Sequence, residues 1–285
     1  MYTQSITRTH RTAFILAIDG SGSMAERIRY HGREMTKSEA VAFITNSLLF
    51  ELLERARRDD GVRDYYDIAV LSYSGNDEVQ SLLPDGRETI SVAELAAVEP
   101  RIKRETIEWR QPDGSIALRE IPTPVWVEPQ AAGQTPMCLA LCHARDIAAA
   151  WCADPVHAES FPPTVFNITD GEATDCNDAE LIAVAEQIKS LRTADGNALL
   201  INIHIAGGET PQVAFFPSEE EADLPNRYAS VLYNCSSVMP EVFNEAIREA
   251  KGPGFLPPFR GMSYNASADE LITMLNIGSI SVKTE

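Results

Sequence analysis

Apolar runs bounded by turn residues recur at Thr12 to Ile18, Asp67 to Tyr73, Thr164 to Thr169 and Ala198 to Ala206, with helix-period patterns between them. Strands alternating with helices in this way predict an α/β fold: a doubly wound, mostly parallel, Rossmann-like sheet with helices on both faces. The first helix has the clearest start. Thr36-Lys37-Ser38-Glu39 reads as a capping box, in which the Thr and Glu side chains each accept the other residue's backbone N–H. Val41, Ile44, Leu48 and Leu52 then recur at helical spacing, and the helix is expected to end near Asp60-Gly61. A second helix is expected after Gln134-Thr135-Pro136, with Pro136 at its first position, running through Leu139, His143 and Ile147 towards Trp151. A third spans about Asp178 to Leu191. Ser267-Ala268-Asp269-Glu270 is a further capping box and opens a last helix carrying Leu271, Ile272 and Leu275.

From Ser74 to Pro129 the alternation stops. There Glu105 to Arg110 and Ser115 to Ile121 flank Gln111-Pro112-Asp113-Gly114, a turn signal between two strand-like runs, which predicts a hairpin. Residues 1–285 are therefore expected to form one domain with a hairpin-containing insertion at about 74–129. Gly207 to Pro225 and the proline-rich Gly252 to Gly261 read as loops, and loops on a rigid sheet carry recognition.

Composition narrows the partners. Lys and Arg total 24 against 42 Asp and Glu, a formal net charge of -18. Such an acidic surface repels phosphate backbones and anionic headgroups, so nucleic acid is not expected as a partner. No apolar segment approaches the roughly 18 residues of a membrane span. Arg8, His10 and Arg11 before an apolar run imitate a secretion signal, but the run reaches Asp19 too soon and no small-residue cleavage site follows. Five cysteines with no C-x-x-C pair argue against a disulfide framework, and a cytoplasmic location is expected.

The candidate chemistry starts where the first run stops. Ala13 to Ile18 leads straight into Asp19-Gly20-Ser21-Gly22-Ser23, one carboxylate and two hydroxyls at a strand's end. In an open parallel sheet, ligands bind outside the carboxyl ends of the strands. Asp170 stands at the matching point of a later strand, in Asn167-Ile168-Thr169-Asp170-Gly171, and Thr135 stands before a helix, preceded by Gly133. Three loops would bring two carboxylates and three hydroxyls to one edge. With only oxygen donors, the set suits a hard cation such as Mg²⁺ rather than zinc or copper. If the hydroxyls bind directly and the carboxylates partly through water, the cation stays electron-poor. It would then draw one more anionic oxygen, for which a partner protein's Asp or Glu is the obvious source. Helix capping by Ser and Asp would explain each residue singly, though not their coincidence on one edge.

These residues resemble a known family. Asp19-Gly20-Ser21-Gly22-Ser23 is similar to the D-x-S-x-S motif of von Willebrand factor A domains, integrin I domains among them, and Thr135 and Asp170 resemble the remaining members of their metal-ion-dependent adhesion site. Gly133-Gln134-Thr135-Pro136 and Thr169-Asp170-Gly171 resemble the family's surroundings for those positions. The likeness runs from Thr12 to about Gly278, interrupted by Ser74 to Pro129. It implies a Mg²⁺ site, with Mn²⁺ or Ca²⁺ as alternatives, bound directly by Ser21, Ser23 and Thr135, while Asp19 and Asp170 often act through water. It further implies a module that binds proteins without catalysis. Bacterial members of this kind act inside the cell beside stress-response kinases and phosphatases.

A Mg²⁺-dependent phosphatase or hydrolase is the rival reading. A nucleophilic serine would need G-x-S-x-G, and Asp19 stands two before Ser21 where glycine belongs. Phosphoryl transfer wants a cationic clamp, which Arg27, Arg29 or Arg33 would have to supply. Cys138 and Cys142, followed by His143, lack a second half for a zinc site and read as packing residues. His204 reads as a satisfied core or strand-end histidine, and Phe215 and Phe216 as local core.

Overall fold

A computed structural model of the chain describes residues 2–30, 33–75, 77–110, 115–205, 214–221 and 224–279. Strand β1 (Thr12–Asp19) leads through a short 3₁₀ turn to a hairpin of β2 (Arg27–Tyr30) and β3 (Arg33–Thr36), then to α1 (Lys37–Ala56). The small pair β4 (Arg57–Arg58) and β5 (Gly61–Val62) precedes β6 (Tyr66–Ser74), β7 (Glu78–Ser81) and β8 (Ile90–Ser91). Next come α2 (Val92–Ala97), the hairpin of β9 (Arg101–Arg110) and β10 (Ile116–Val125), and α3 (Met137–Ala153). Then follow β11 (Thr164–Thr169), α4 (Asp178–Ser190), β12 (Leu199–Ile205) and β13 (Ala214–Phe215). The described chain closes with α5 (Arg227–Cys235), α6 (Asn244–Lys251), β14 (Met262–Ala266) and α7 (Ala268–Ser279).

The main sheet runs β13-β14-β12-β11-β1-β6-β7, with β8 also on β6. Its body, β14 to β6, is parallel, and β13, β7 and β8 add antiparallel edges. This is the mostly parallel, doubly wound arrangement that the alternation of runs predicts. β1 is buried at every position because helices cover both faces. Successive side chains of a strand point to opposite faces, so Phe14, Leu16 and Ile18 pack with Val41, Ile44 and Leu48 of α1 and with Leu271 and Leu275 of α7. Ile15 and Ala17 face the other way, onto Leu141 of α3, Leu181 of α4 and Leu232 of α5. Each large side chain so buried contributes about 1.5–3 kcal/mol.

Local signals set the helix starts. Thr36 and Glu39 form the expected capping box, with Glu39 N donating to Thr36 Oγ1 at 3.1 Å and Thr36 N to Glu39 Oε2 at 2.8 Å. α1 stops at Ala56, short of Asp60-Gly61, because β4 and β5 pair into a tight hairpin with Gly61 at φ 124°. Pro136 is the residue before α3 rather than its first. It has no side-chain acceptor, and Asp175 caps the helix instead, accepting from Cys138 N at 3.1 Å and Leu139 N at 2.8 Å.

Between Ser74 and Pro129 the structure is more integrated than a decoration. β7 and β8 extend the main sheet, and the expected hairpin forms from longer strands than its flanking runs suggest. Its turn, Gln111 to Gly114, lies outside the described residues, as does most of the first half of Gly207 to Pro225. The chain returns from the hairpin under a clamp: buried Asn46 of α1 accepts from Trp126 N and Val127 N at 2.8 and 3.0 Å and donates to Val127 O at 2.8 Å.

A second buried polar chain crosses the α3–α5 face. Tyr73 Oη donates to Asn167 Oδ1 (2.8 Å), Asn167 Nδ2 to Asn202 Oδ1 (3.0 Å), Asn202 Nδ2 to Ser236 Oγ (3.0 Å) and Ser236 Oγ to Leu232 O (2.7 Å). Every link is satisfied, as a buried polar group requires. Among the described residues no helix is long and apolar enough to cross a membrane.

Candidate metal centre

β1 and β11 are parallel neighbours, in register at Ile18 and Ile168, and both end on the same rim. The connections leaving β1 and β11 lie on opposite faces, α1 on one and α4 on the other, so their ends open a crevice where such sheets bind ligands. Asp19 is the last residue of β1 and Asp170 the first after β11. Asp19 is 1% exposed; its Oδ1 accepts from Ser21 N at 2.8 Å and its Oδ2 from Thr169 Oγ1 at 2.7 Å. Burial raises the Asp19 carboxyl above its usual range and the charge of Asp170 pushes the same way, while the bonds from Ser21 and Thr169 oppose them.

The hydroxyls continue the cluster. Ser21 Oγ lies 3.0 Å from Ser23 Oγ, and Ser23 Oγ donates to Asp170 Oδ1 at 2.6 Å. Thr135 is held beside them through the Asp170 loop. Its N–H donates to Thr174 Oγ1 (3.1 Å), its carbonyl accepts from Thr174 N (3.0 Å), and its Oγ1 is 3.9 Å from where a Cβ on Gly171 would stand. Four of the five expected residues are thus joined by direct hydrogen bonds, and the fifth, Thr135, is fastened to the loop that follows Asp170.

Glycines make this approach possible. Gly22 N donates to Gly133 O at 3.0 Å, Ala132 N to Gly20 O at 2.6 Å, and Gly75 exchanges bonds with Ala132 and Gln134. Gly133 has φ 76°, and a Cβ on it would fall 2.3 Å from Gly75 Cα. Only glycine fits both the backbone angle and the space.

The donor set fits a hard divalent ion. Octahedral Mg²⁺ with oxygens at about 2.0–2.1 Å separates neighbouring ligand oxygens by about 2.9 Å. The two serine hydroxyls lie at 3.0 Å. Among the described residues no group of three or more His, Cys, Asp and Glu side chains is placed to hold a metal, so a site here depends on hydroxyls. Cys138 and Cys142 are half-buried packing residues of the α3 face, and Phe216 is core.

Several neighbours escape sequence reasoning. Lys37 is 3% exposed, and its Nζ lies 2.8 Å from Asp170 Oδ2 and 2.7 Å from Glu26 Oε2. Tyr228 Oη donates to Gly171 O. His204 stacks on Tyr264, accepts from Asn265 N through Nδ1 at 3.3 Å, and is pushed by burial down to about 4 against the charge of Asp170. A neutral imidazole therefore backs the Asp170 loop. Thr169 is the one with a readable signal, standing beside Asp170 at the strand's end. Of the arginines considered as a clamp, Arg27 faces Glu34 at 3.7 Å and Arg33 donates to Thr106 O at 3.2 Å.

No protein-family model and no curated protein matches the chain. Solved structures similar to it include a von Willebrand factor type A protein from Catenulispora acidiphila, at 17% identity and TM-score 0.40, covering 69% of this chain and 34% of that one. Another holds three N-terminal domains of the type V pili tip protein Mfa5 from Porphyromonas gingivalis, at 16% identity and TM-score 0.32, covering 57% of this chain and 20% of that one. The vWF domain of Mfa5 is similar at 13% identity and TM-score 0.33 over 96% of this chain and 88% of its own. The chain thus spans about a third and a fifth of the length of the first two.

Proposed function

We propose that the chain is a non-enzymatic, metal-dependent protein-binding module of the von Willebrand factor A kind. In this reading Ser21, Ser23 and Thr135 hold Mg²⁺ directly, and Asp19 and Asp170 hold it in part through water. Mn²⁺ and Ca²⁺ are the alternatives. The observation that carries the reading is the hydroxyl pair at 3.0 Å, joined to Asp170 on the rim between β1 and β11. A cation bound there supplies a Lewis-acidic position for an Asp or Glu carboxylate of a partner protein. Ser23 is exposed, which leaves that position a path to solvent. The reading includes a cytoplasmic setting, supported by five cysteines that are all free. Its link to bacterial stress-response complexes rests on the resemblance alone.

Calorimetric titration with Mg²⁺ tests the site. Ser23→Ala and Asp170→Asn should bind about ten- to hundredfold more weakly than wild type while unfolding as cooperatively. Variants that fold and keep full affinity would overturn the assignment. A pull-down from the native cell, with and without chelator, should recover a partner only with the metal-loaded wild type. Mg²⁺-dependent turnover of a generic phosphate ester, lost in Ser21→Ala, would instead favour a hydrolase.

A further inference from the structure

Lys37 occupies a position that elementary electrostatics disfavours. It is the first residue of α1, where the helix dipole presents its positive end, and it is almost wholly buried. A lysine at such a place can ordinarily send its ammonium into water along its flexible stem. Here the stem turns inward, and the ammonium bridges Asp170 Oδ2 at 2.8 Å and Glu26 Oε2 at 2.7 Å. The backbone fixes this turn, since Lys37 N donates to Glu26 O at 2.9 Å. The two carboxylates are not equivalent. The Glu26 side chain is 59% exposed and screened by water, whereas that of Asp170 is fully buried and feels the ammonium strongly.

Both oxygens of Asp170 are consequently engaged, Oδ1 by the Ser23 hydroxyl and Oδ2 by Lys37. We infer that Lys37 sets the affinity of the site for its divalent ion: the ammonium neutralises Asp170 and turns one of its oxygens away from the hydroxyl cluster. This inference rests on the metal reading above. The covalently attached cation stands in for part of the charge that Mg²⁺ would otherwise supply. The site therefore holds the ion less tightly than the same five oxygen donors would without the lysine. The metal-free rim stays assembled, because its two buried carboxylates do not face each other uncompensated. Lys37 is thus a positioning residue, acting on the ion through Asp170.

The test is calorimetric titration of the full chain with Mg²⁺, alongside thermal unfolding in chelator. Lys37→Met keeps the stem and removes the charge, and should bind Mg²⁺ about tenfold more tightly than wild type, as expected for losing a unit charge beside a ligand carboxylate. Its unfolding temperature in chelator should fall, and Mg²⁺ should restore it. Lys37→Arg keeps the charge and should stay within about twofold of wild-type affinity. A purely structural lysine would lower stability with no gain in affinity, so a folded Lys37→Met variant that binds Mg²⁺ no more tightly than wild type overturns the inference. Glu26→Gln, altered at an exposed and water-screened side chain, should change Mg²⁺ affinity less than Lys37→Met does, and a larger change there also overturns the inference. A wild type that takes up no Mg²⁺ at millimolar concentration overturns the metal reading and this inference together. A wild type that binds while Lys37→Met gains nothing overturns this inference alone.

Discussion

On the rim above β6 and β1, three loops distant in sequence are stitched by backbone, through Gly20, Gly22, Gly75, Ala132 and Gly133, and Asp19, Ser21, Ser23 and Thr135 ride on that frame. In the hairpin of β9 and β10, each strand finds its partner close by, from Arg101 opposite Val125 to Arg110 opposite Ile116. Ile102 and Leu118 there reach into water, 57% and 73% exposed. The rim is accurate because parts with no side chain come into contact. The hairpin leans on α1 near its base, where Thr123 is buried, and its return to the body is held at Asn46.

The largest effect should come from Gly133→Ala, which forces a Cβ into Gly75 at an unfavourable backbone angle. We expect a loss of about 4 kcal/mol, at the upper end for one substitution, measured by denaturant unfolding. A small loss would mean that the loops can part without harm. Asn46→Ala strands two backbone N–H groups and a carbonyl at the hairpin's return, with an expected cost of about 3 kcal/mol. Acid should act on the rim through His204, whose folded-state value lies near 4 against an ordinary 6.5. The unfolded chain binds the proton first, so this contribution is complete above pH 6.5 and is lost as pH falls towards 4, by at most about 3 kcal/mol. Asp19, whose carboxyl is raised, works in the opposite sense. Stability curves in chelator should therefore fall less steeply over that window in His204→Gln than in wild type. At the small end, Leu118→Ser at the exposed part of the hairpin should change stability by within about 0.5 kcal/mol, and a larger loss would show that Leu118 itself packs on something.

Sequence pattern reveals what is decided locally. β1, β6, β11 and β12 stand out because strands covered on both faces leave unbroken apolar runs, and α1 and α7 because their caps are written in four residues. β14 is hidden because Met262-Ser263-Tyr264-Asn265-Ala266 is short and mixed, and its burial comes from neighbours elsewhere in the chain. α5 has helical spacing in Tyr228, Val231, Leu232 and Cys235, but over only nine residues. Asp19, Ser21, Ser23, Thr135 and Asp170 can be picked out because each follows a strand or precedes a helix at the same edge. Lys37 and Asn46 cannot. Their inward turns depend on Asp170 and on Trp126 and Val127, far away in the chain, while locally one is a helix-start lysine and the other a helical polar residue.

The row of polar side chains from Tyr73 through Asn167 and Asn202 to Ser236 also measures height. Asn167 and Asn202 face each other across β11 and β12, and Tyr73 lies level with Asp19 across β6 and β1. A slip of one residue between any of these strands would send an amide to the wrong face and leave its neighbour stranded in an apolar layer. The strands can settle only with their ends flush. Two acids that never meet along the chain are thereby delivered to the same level.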